Sequence, residues 1–175
     1  MSRRRRNTGV IGLQKSGGRL SNRCGKSSMD MILLPPDFRE FLQLLNSHKV
    51  RYLLVGGYAV GYYGYPRATA DMDIWVATDA ENVGRVLAAL AEFGFAEVEP
   101  DLFAKEQQVL RMGVPPLRIE LLTGVSGVEF EDCYSQRAVV SLGGVEVSLI
   151  SLEDLKTNKA ASGRYKDLND LEHLP

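Results

Sequence analysis

The sequence predicts an α+β (α/β) domain in which a small mixed β-sheet carries helices packed mainly on one face. Apolar stripes with helical spacing alternate with short apolar strands along much of the chain, which is the first indication of this class. The glycine pair Gly143-Gly144 joins two apolar strands near the C-terminus and predicts a hairpin. Hydrophobic residues make up 45% of the 175 residues, which is enough for the core of one domain. We therefore expect a single domain over residues 29–175.

The first half of the chain alternates helices with strands. Apolar side chains at helical spacing follow Pro35-Pro36 and predict a helix, because proline is tolerated in a first helical turn. The predicted elements, in order, are a helix from this proline pair to Ser47, a strand over 51–55, a helix over 58–63, a strand over 70–76, and a helix that Asp79 caps and that runs to Phe93. A glycine at position 94 ends the last helix.

The second half of the chain consists mainly of predicted strands. These strands cover residues 95–98, 109–112, 117–122, 136–142 and 145–150. Ser151 caps a final helical region whose apolar side is formed by Leu152, Leu155, Leu168 and Leu171. In the predicted sheet, the strands over 70–76 and 117–122 are adjacent.

Charge is distributed unevenly along the chain. Of the 21 Lys and Arg residues, eight lie in residues 1–28, which leaves 13 against 22 Asp and Glu in the remainder. A domain with this acidic balance has no broad electrostatic surface for nucleic acid. The basic segment is rich in Gly, Ser, Arg and Asn and lacks apolar periodicity. We therefore expect residues 1–28 to be a disordered basic tail, although its arginines also suit a phosphate backbone.

The cysteine content and hydropathy favour a cytoplasmic protein. Cys24 and Cys133 are the two cysteines, and their spacing indicates neither a disulfide framework nor a zinc site. The basic N-terminus lacks the apolar segment of a secretory signal. No stretch approaches the roughly 18 consecutive apolar residues of a transmembrane helix, so we expect no membrane partner.

Two carboxylates one residue apart, in Asp71-Met72-Asp73, are the most informative local feature. Alternation in a strand places both on one face, where they repel each other unless a cation neutralises them. Paired carboxylates are ligands that Mg²⁺ uses together with substrate phosphates. An Asp-x-Asp pair alone is more often two solvated acids. The glycine pair Gly56-Gly57 directly follows a predicted strand, and Gly57 precedes Asp71 by 14 positions. This combination favours a metal and phosphate site over two solvated acids.

The order and spacing of these residues resemble a known family. Val55-Gly56-Gly57, Gly64, Arg67, Thr69, Asp71 and Asp73 are similar to the signature of the DNA polymerase β-type nucleotidyltransferase superfamily. The segment from Ser151 to Leu168 resembles the closing helix of its small bacterial abortive-infection and toxin-type branch. The resemblance implies a minimal nucleotidyltransferase fold over most of residues 37–174.

The resemblance also implies a set of catalytic acids. Asp71, Asp73 and Glu120 would hold two Mg²⁺ (or Mn²⁺) ions, and Glu120 would help to deprotonate the acceptor hydroxyl. Many relatives carry aspartate at the third position, which is one methylene shorter than Glu120.

A second set of residues is implied for nucleotide binding. Gly56 and Gly57 would let the backbone approach a phosphate, and the following helix would present free N–H groups to it. Arg67 would contact phosphate or a nearby carboxylate. The remaining candidates are Thr69, the triphosphate-facing Lys159, the weaker candidate Lys166, and Asp167, which would orient Lys159 or Arg164.

The expected function is transfer of a nucleoside monophosphate from an NTP to an RNA, protein or small-molecule acceptor. A toxin-type relative would act on tRNA ends or a partner protein and would have a cognate antitoxin. The alternative is a non-catalytic nucleotide-binding or protein-interaction relative of the same fold. A third interpretation is a glycosyltransferase that uses the Asp-x-Asp pair to hold Mn²⁺ and a sugar nucleotide.

Overall fold

The computed structural model of the protein describes residues 34–105 and 107–175. The basic tail predicted over residues 1–28, the first residues of the predicted domain at 29–33, and Cys24 lie outside the described residues.

Helices and strands follow the predicted order over most of these residues. The helices are α1 (Pro36–Ser47), α2 (Gly56–Tyr62), α3 (Ala80–Glu92), α4 (Phe130–Ser135), α5 (Leu152–Ser162) and α6 (Tyr165–His173). The strands are β1 (Tyr52–Leu54), β2 (Asp71–Val76), β3 (Val109–Val114), β4 (Leu117–Leu122), β5 (Ala138–Leu142) and β6 (Val145–Leu149). Among the described helices, none is long and apolar enough to cross a membrane.

The six described strands form one mixed sheet in the order β3-β4-β2-β1-β6-β5. β2 runs parallel to β4 and β1 runs parallel to β6, while the other neighbours are antiparallel. Gly143 and Gly144 both have positive φ, as a tight hairpin turn between β5 and β6 demands. The predicted α+β class is therefore confirmed, and the acid-bearing β2 and β4 are neighbours.

One buried cluster holds the helices on the sheet. Met72 and Ile74 of β2 are fully buried and alternate with the half-buried aspartates of the same strand. From α1, Phe41 is also fully buried, and its ring lies 4.9 Å from that of Phe93 at the end of α3. This alternation fixes which face of β2 carries the acids, because a one-residue shift in register would bury them in the core.

Three local predictions need correction. Residues 95–98 form an irregular segment with a turn at 96–97 rather than a strand, because Gly94 adopts a φ of 103° and Phe95 stacks on Phe93 near the surface. The predicted strand that began at Gln136 starts at Ala138, and the helix α4 that precedes it was not predicted. The final helical region is two helices, since Gly163 takes the left-handed conformation and ends α5.

Truncation of Phe41 to alanine tests the helix–sheet core. Phe41 has no exposed surface, so Phe41→Ala should lower the free energy of unfolding by about 3–5 kcal/mol. Urea unfolding followed by circular dichroism measures this change. Gln43→Ala, at an exposed position of the same helix, should unfold within about 0.5 kcal/mol of the wild type. Equal effects of the two variants would contradict the assigned packing.

Candidate active site

The three predicted acids lie side by side on two parallel strands. In the register of β2 and β4, Asp73 pairs with Glu120 and Asp71 pairs with Arg118. Residues two apart on a strand share a face, so Asp71, Asp73 and Glu120 are on the same side of the sheet. Asp71 and Asp73 are half-buried, and the Glu120 side chain is 15% exposed. Three carboxylates from two separate stretches of sequence therefore converge.

Two arginines neutralise two of these acids. Arg118 donates from Nε and a terminal nitrogen to the two carboxylate oxygens of Asp71, at 2.9 and 3.0 Å. This hydrogen-bonded guanidinium holds the pKa of the Asp71 carboxyl below its ordinary value. Arg111, opposite Glu120 on β3, donates to Glu120 Oε1 at 2.9 Å. Cross-strand pairing therefore supplies both cations.

Asp73 has no such partner. None of the ion pairs within residues 34–105 and 107–175 involves this carboxylate. Burial, followed by the nearby negative charge of Glu120, raises the pKa of Asp73 to about 6, although a hydrogen bond from the Gly57 N–H opposes the rise. A buried carboxylate beside a second acid favours a cation.

The glycine pair packs directly against the acid strand. Gly56 has a φ of 62°, and a Cβ atom there would lie 1.9 Å from Asp73 Oδ2. A Cβ atom on Gly57 would lie 2.4 Å from the Thr69 hydroxyl oxygen. Only glycine fits at either position. The N–H of Gly57 faces Asp73 and opposes the rise in the pKa of that carboxyl.

A buried ion-pair network lies next to the glycine turn. Arg67 donates to both oxygens of the fully buried Asp170 at 2.7 and 2.9 Å. Lys159, with 4% of its side chain exposed, lies 3.0 Å from Asp170 and 2.6 Å from Asp167. Asp167 also accepts a hydrogen bond from Arg164 at 2.6 Å. These contacts tie α5 and α6 to the loop that precedes β2.

Together these elements enclose a cleft of about 630 Å³, here called the active-site cleft. The glycine turn, the acids, and the segments around Lys159 and Arg164 line it. Its basic lining residues are Arg67, Arg111, Lys159, Arg164 and Lys166. Arg164 has 75% of its side chain exposed, and Lys166 forms none of the ion pairs of the described residues. These two cations are the most available to an incoming anion.

The predicted site residues lie together in one cleft, but the sequence did not predict several of the residues that form ion pairs with them. Every predicted acid, glycine and cation lines the active-site cleft, together with Thr69 and Asp167. Asp167 contacts both of its expected partners, whereas the carboxylate that holds Arg67 is Asp170, which was not predicted. Arg111 and Arg118 were also missed. Arg118 lies two residues before Glu120 on the same predicted strand, so it shares the face of Glu120. This spacing could have identified Arg118 as a site residue.

The acids fit Mg²⁺ in donor type and register, and they are not preassembled around an ion. Carboxylate oxygens are the hard ligands that Mg²⁺ prefers, and Asp73 forms no ion pair among the described residues. Within the described part of the chain, no group of three His, Cys, Asp or Glu side chains is placed to hold a metal ion. Asp71 and Glu120 are instead hydrogen-bonded to Arg118 and Arg111. Loading would exchange those contacts for the ion.

Comparison with known proteins assigns the family. Residues 36–175 match the model of a family described as nucleotidyl transferase of unknown function (DUF2204). The chain belongs to this family. Its fold is similar to that of a candidate nucleotidyltransferase from Thermotoga maritima, at 18% identity and a TM-score of 0.56 over 81% of this chain and 94% of that chain.

A second solved structure is an antigenic nucleotidyltransferase-like protein from Paracoccidioides brasiliensis. It shares 20% identity with a TM-score of 0.47, over 75% of this chain and 70% of that chain. No curated protein sequence matches the chain. The family match supports nucleotidyl transfer as the general reaction class and favours it over the glycosyltransferase interpretation.

Substitution of Gly56 tests the contact between the glycine turn and Asp73. Gly56→Ala combines a positive φ with a collision against the Asp73 carboxylate, so it should destabilise the protein by about 1–3 kcal/mol. Gly61→Ala, in the same helix, meets open space and should be neutral or stabilise by up to about 1 kcal/mol. Thermal unfolding measures both. A Gly56→Ala protein as stable as Gly61→Ala would contradict the described approach.

The buried network should make stability depend on acid pH. Burial alone would raise the pKa of Asp170, but hydrogen bonds from Arg67 and Lys159 outweigh it and hold the pKa below its ordinary 3.8. A lowered native pKa stabilises the fold above the unfolded-state value, and the stabilisation is lost as pH falls through the native pKa. Asp170→Asn should therefore flatten the loss of stability below about pH 4, measured by urea unfolding across pH. An unchanged slope would contradict the ion pairs.

Proposed function

We propose that the protein is a metal-dependent nucleotidyltransferase that moves a nucleoside monophosphate from an NTP to an acceptor hydroxyl. The pairing of Asp73 with Glu120 beneath Gly56 carries this proposal, because it joins three acids and a glycine turn in one cleft. Membership of the nucleotidyl transferase family supports the reaction class. The charges of the cleft support the substrate class.

The acids would hold two divalent ions, Mg²⁺ or Mn²⁺. Bound there, the ions would supply charge compensation for the attacking and leaving oxygens. Asp71, Asp73 and Glu120 are the residues that would hold them. Arg111 and Arg118, released from these acids, would stay beside them because their backbone positions are fixed by the sheet.

The exposed cations of the cleft would bind the triphosphate. Arg164 and Lys166 would make the direct contacts, since they are the exposed basic residues at the α5–α6 junction. Lys159 lines the same wall, and Asp167 holds both Lys159 and Arg164 in place. Arg67 would act mainly through Asp170, because its Nε and one terminal nitrogen are bonded to that carboxylate. Gly56 and Gly57 would allow close backbone approach to the phosphates, beside Thr69.

In the reaction step, the acceptor hydroxyl oxygen attacks the α-phosphorus. The new O–P bond forms as the bond between the α-phosphorus and the α–β bridging oxygen breaks, and that electron pair leaves with pyrophosphate. Glu120 would take the hydroxyl proton in a general-base role. The cleft walls would hold the attacking and leaving oxygens in line, which is the main contribution that a protein makes to such a transfer.

The second candidate is a nucleotide-binding relative without turnover. The ion pairs of Asp71 and Glu120 favour it, because they occupy two of the three acids in the structure. Calorimetry with a non-hydrolysable NTP and Mg²⁺, run beside a product assay, separates the two candidates. Binding without product would assign the non-catalytic function. The toxin-type role and the antitoxin partner stay predictions from the sequence resemblance.

Neutralising Asp73 tests the enzyme directly. Asp73→Asn should lower metal-dependent transfer of label from an α-labelled NTP by on the order of a hundredfold or more, because the buried carboxylate would no longer hold the ions. Asp101→Asn, at an exposed position outside the active-site cleft, should keep wild-type activity. Failure of the wild type to bind any NTP at millimolar concentration with Mg²⁺ or Mn²⁺ would refute the proposal.

A further inference from the structure

Two cross-strand arginines occupy two of the acids that would hold the divalent ions. On the face of the sheet that carries these acids, Asp71 of β2 lies opposite Arg118 of β4. Glu120 of β4 lies opposite Arg111 of β3. Arg118 contacts both carboxylate oxygens of Asp71, and Arg111 contacts Oε1 of Glu120. Strand register therefore places each arginine where it competes with a cation for a carboxylate.

The charges on this face are insufficient to hold two divalent ions without nucleotide. Three ionised carboxylates paired across the strands with two guanidinium groups leave one net negative charge. Lys166 lines the same cleft and adds a positive charge. Ions bound here alone would therefore be repelled by the surrounding cations, whereas the triphosphate of an NTP would supply the missing negative charge.

Both arginines have room to change partner. The Arg111 side chain is 60% exposed and lines the active-site cleft. The Arg118 side chain is 34% exposed, and its neighbour on β3 is Gly113, which has no side chain to enclose it. A guanidinium pairs with phosphate in the same forked geometry that it uses with a carboxylate. Rotation of the arginine side chains would thus exchange a carboxylate for a phosphate.

We propose that Arg118 and Arg111 make binding of the divalent ions depend on the nucleotide. Without nucleotide, these arginines stay on Asp71 and Glu120 and keep the affinity of the acids for a divalent ion low. With nucleotide, the triphosphate becomes the partner of the arginines and leaves the acids available. This dependence rests on the proposed function, since both ligands occupy the active-site cleft there. The coupling is reciprocal, so a divalent ion on the acids also favours the nucleotide.

Manganese binding without nucleotide tests the competition. The signal of free Mn²⁺ is followed by electron paramagnetic resonance during a protein titration at about pH 8, where carboxyl groups are ionised. The double variant Arg111→Gln/Arg118→Gln should bind Mn²⁺ about tenfold more tightly than the wild type, because two positive charges leave the acids. A merely structural role of the arginines would give unchanged or weaker binding, and either result would overturn the inference.

A matched arginine variant controls for the general loss of positive charge. Arg85 is paired with Glu81 within α3 and is 37% exposed, much like Arg118, but it lies outside the lining of the active-site cleft. Arg85→Gln should therefore leave the affinity for Mn²⁺ unchanged. A gain equal to that of the double variant would overturn the inference.

Nuclear magnetic resonance of the wild type tests the dependence on nucleotide. The Nε–H groups of Arg118 and Arg111 donate to Asp71 and Glu120, so their ¹⁵N-correlated signals report these contacts. Mg²⁺ alone at millimolar concentration should leave both signals in place, whereas Mg²⁺ with a non-hydrolysable NTP should shift both. Equal shifts with Mg²⁺ alone, or unchanged signals in the complex with both ligands, would overturn the inference.

These results are distinct from the test of the proposed function. Metal-dependent nucleotidyl transfer by the wild type, with no gain in Mn²⁺ affinity in the double variant, would retain the proposed function and refute the inference. Absence of NTP binding would refute the proposed function and the dependence on nucleotide together. A gain in Mn²⁺ affinity in that case would assign to Arg118 and Arg111 only the exclusion of the ion.

Discussion

The buried carboxylate of Asp73 is the constraint on which the rest of the cleft depends. It lies between Asp71 and Glu120 on one face of the sheet, and Gly56 approaches so closely that no side chain fits there. Such an arrangement is costly for stability unless the charges are compensated. The cross-strand arginines Arg118 and Arg111 pair with two of the acids, whereas Asp73 forms no ion pair among the described residues and is eased only by the Gly57 N–H and the more distant charge of Lys159.

The same electrostatic logic explains why the C-terminal helices close the cleft. Arg67 and Asp170 are 103 residues apart in sequence, and their paired hydrogen bonds tie α6 to the loop before β2. Lys159 from α5 joins Asp170 to Asp167, so the network is fully paired although it is buried. Breaking one member would leave an unpaired buried charge, which makes the network cooperative. Arg164, held by Asp167, is the member that extends into solvent.

Local sequence patterns predicted most of the helices and strands, but they did not predict ion-pair partners that are distant in sequence. Alternation in β2 and the glycine hairpin turn are properties of neighbouring residues, so both could be read from the sequence. The strand predicted over residues 95–98 was wrong because Phe95 stacks on Phe93 and the segment pairs with no strand of the described sheet. Helix α4 spans only six residues, too few for a helical stripe. Arg118, Arg111 and Asp170 depend on strand register and helix docking, which no single segment encodes.

Strand β2 borders two adjoining clefts, the active-site cleft and a second cleft of about 820 Å³ that is lined in part by Trp75 and residues 124–129. On β2, the alternating positions of Asp71, Asp73 and Trp75 face the same side, so one period-two pattern places acids at one end and the indole at the other. Five basic residues and four carboxylates line the active-site cleft, whereas the charged residues that line the second cleft are Glu129, Asp132 and Asp154. The positions of both clefts relative to the acids therefore follow from the register of β2.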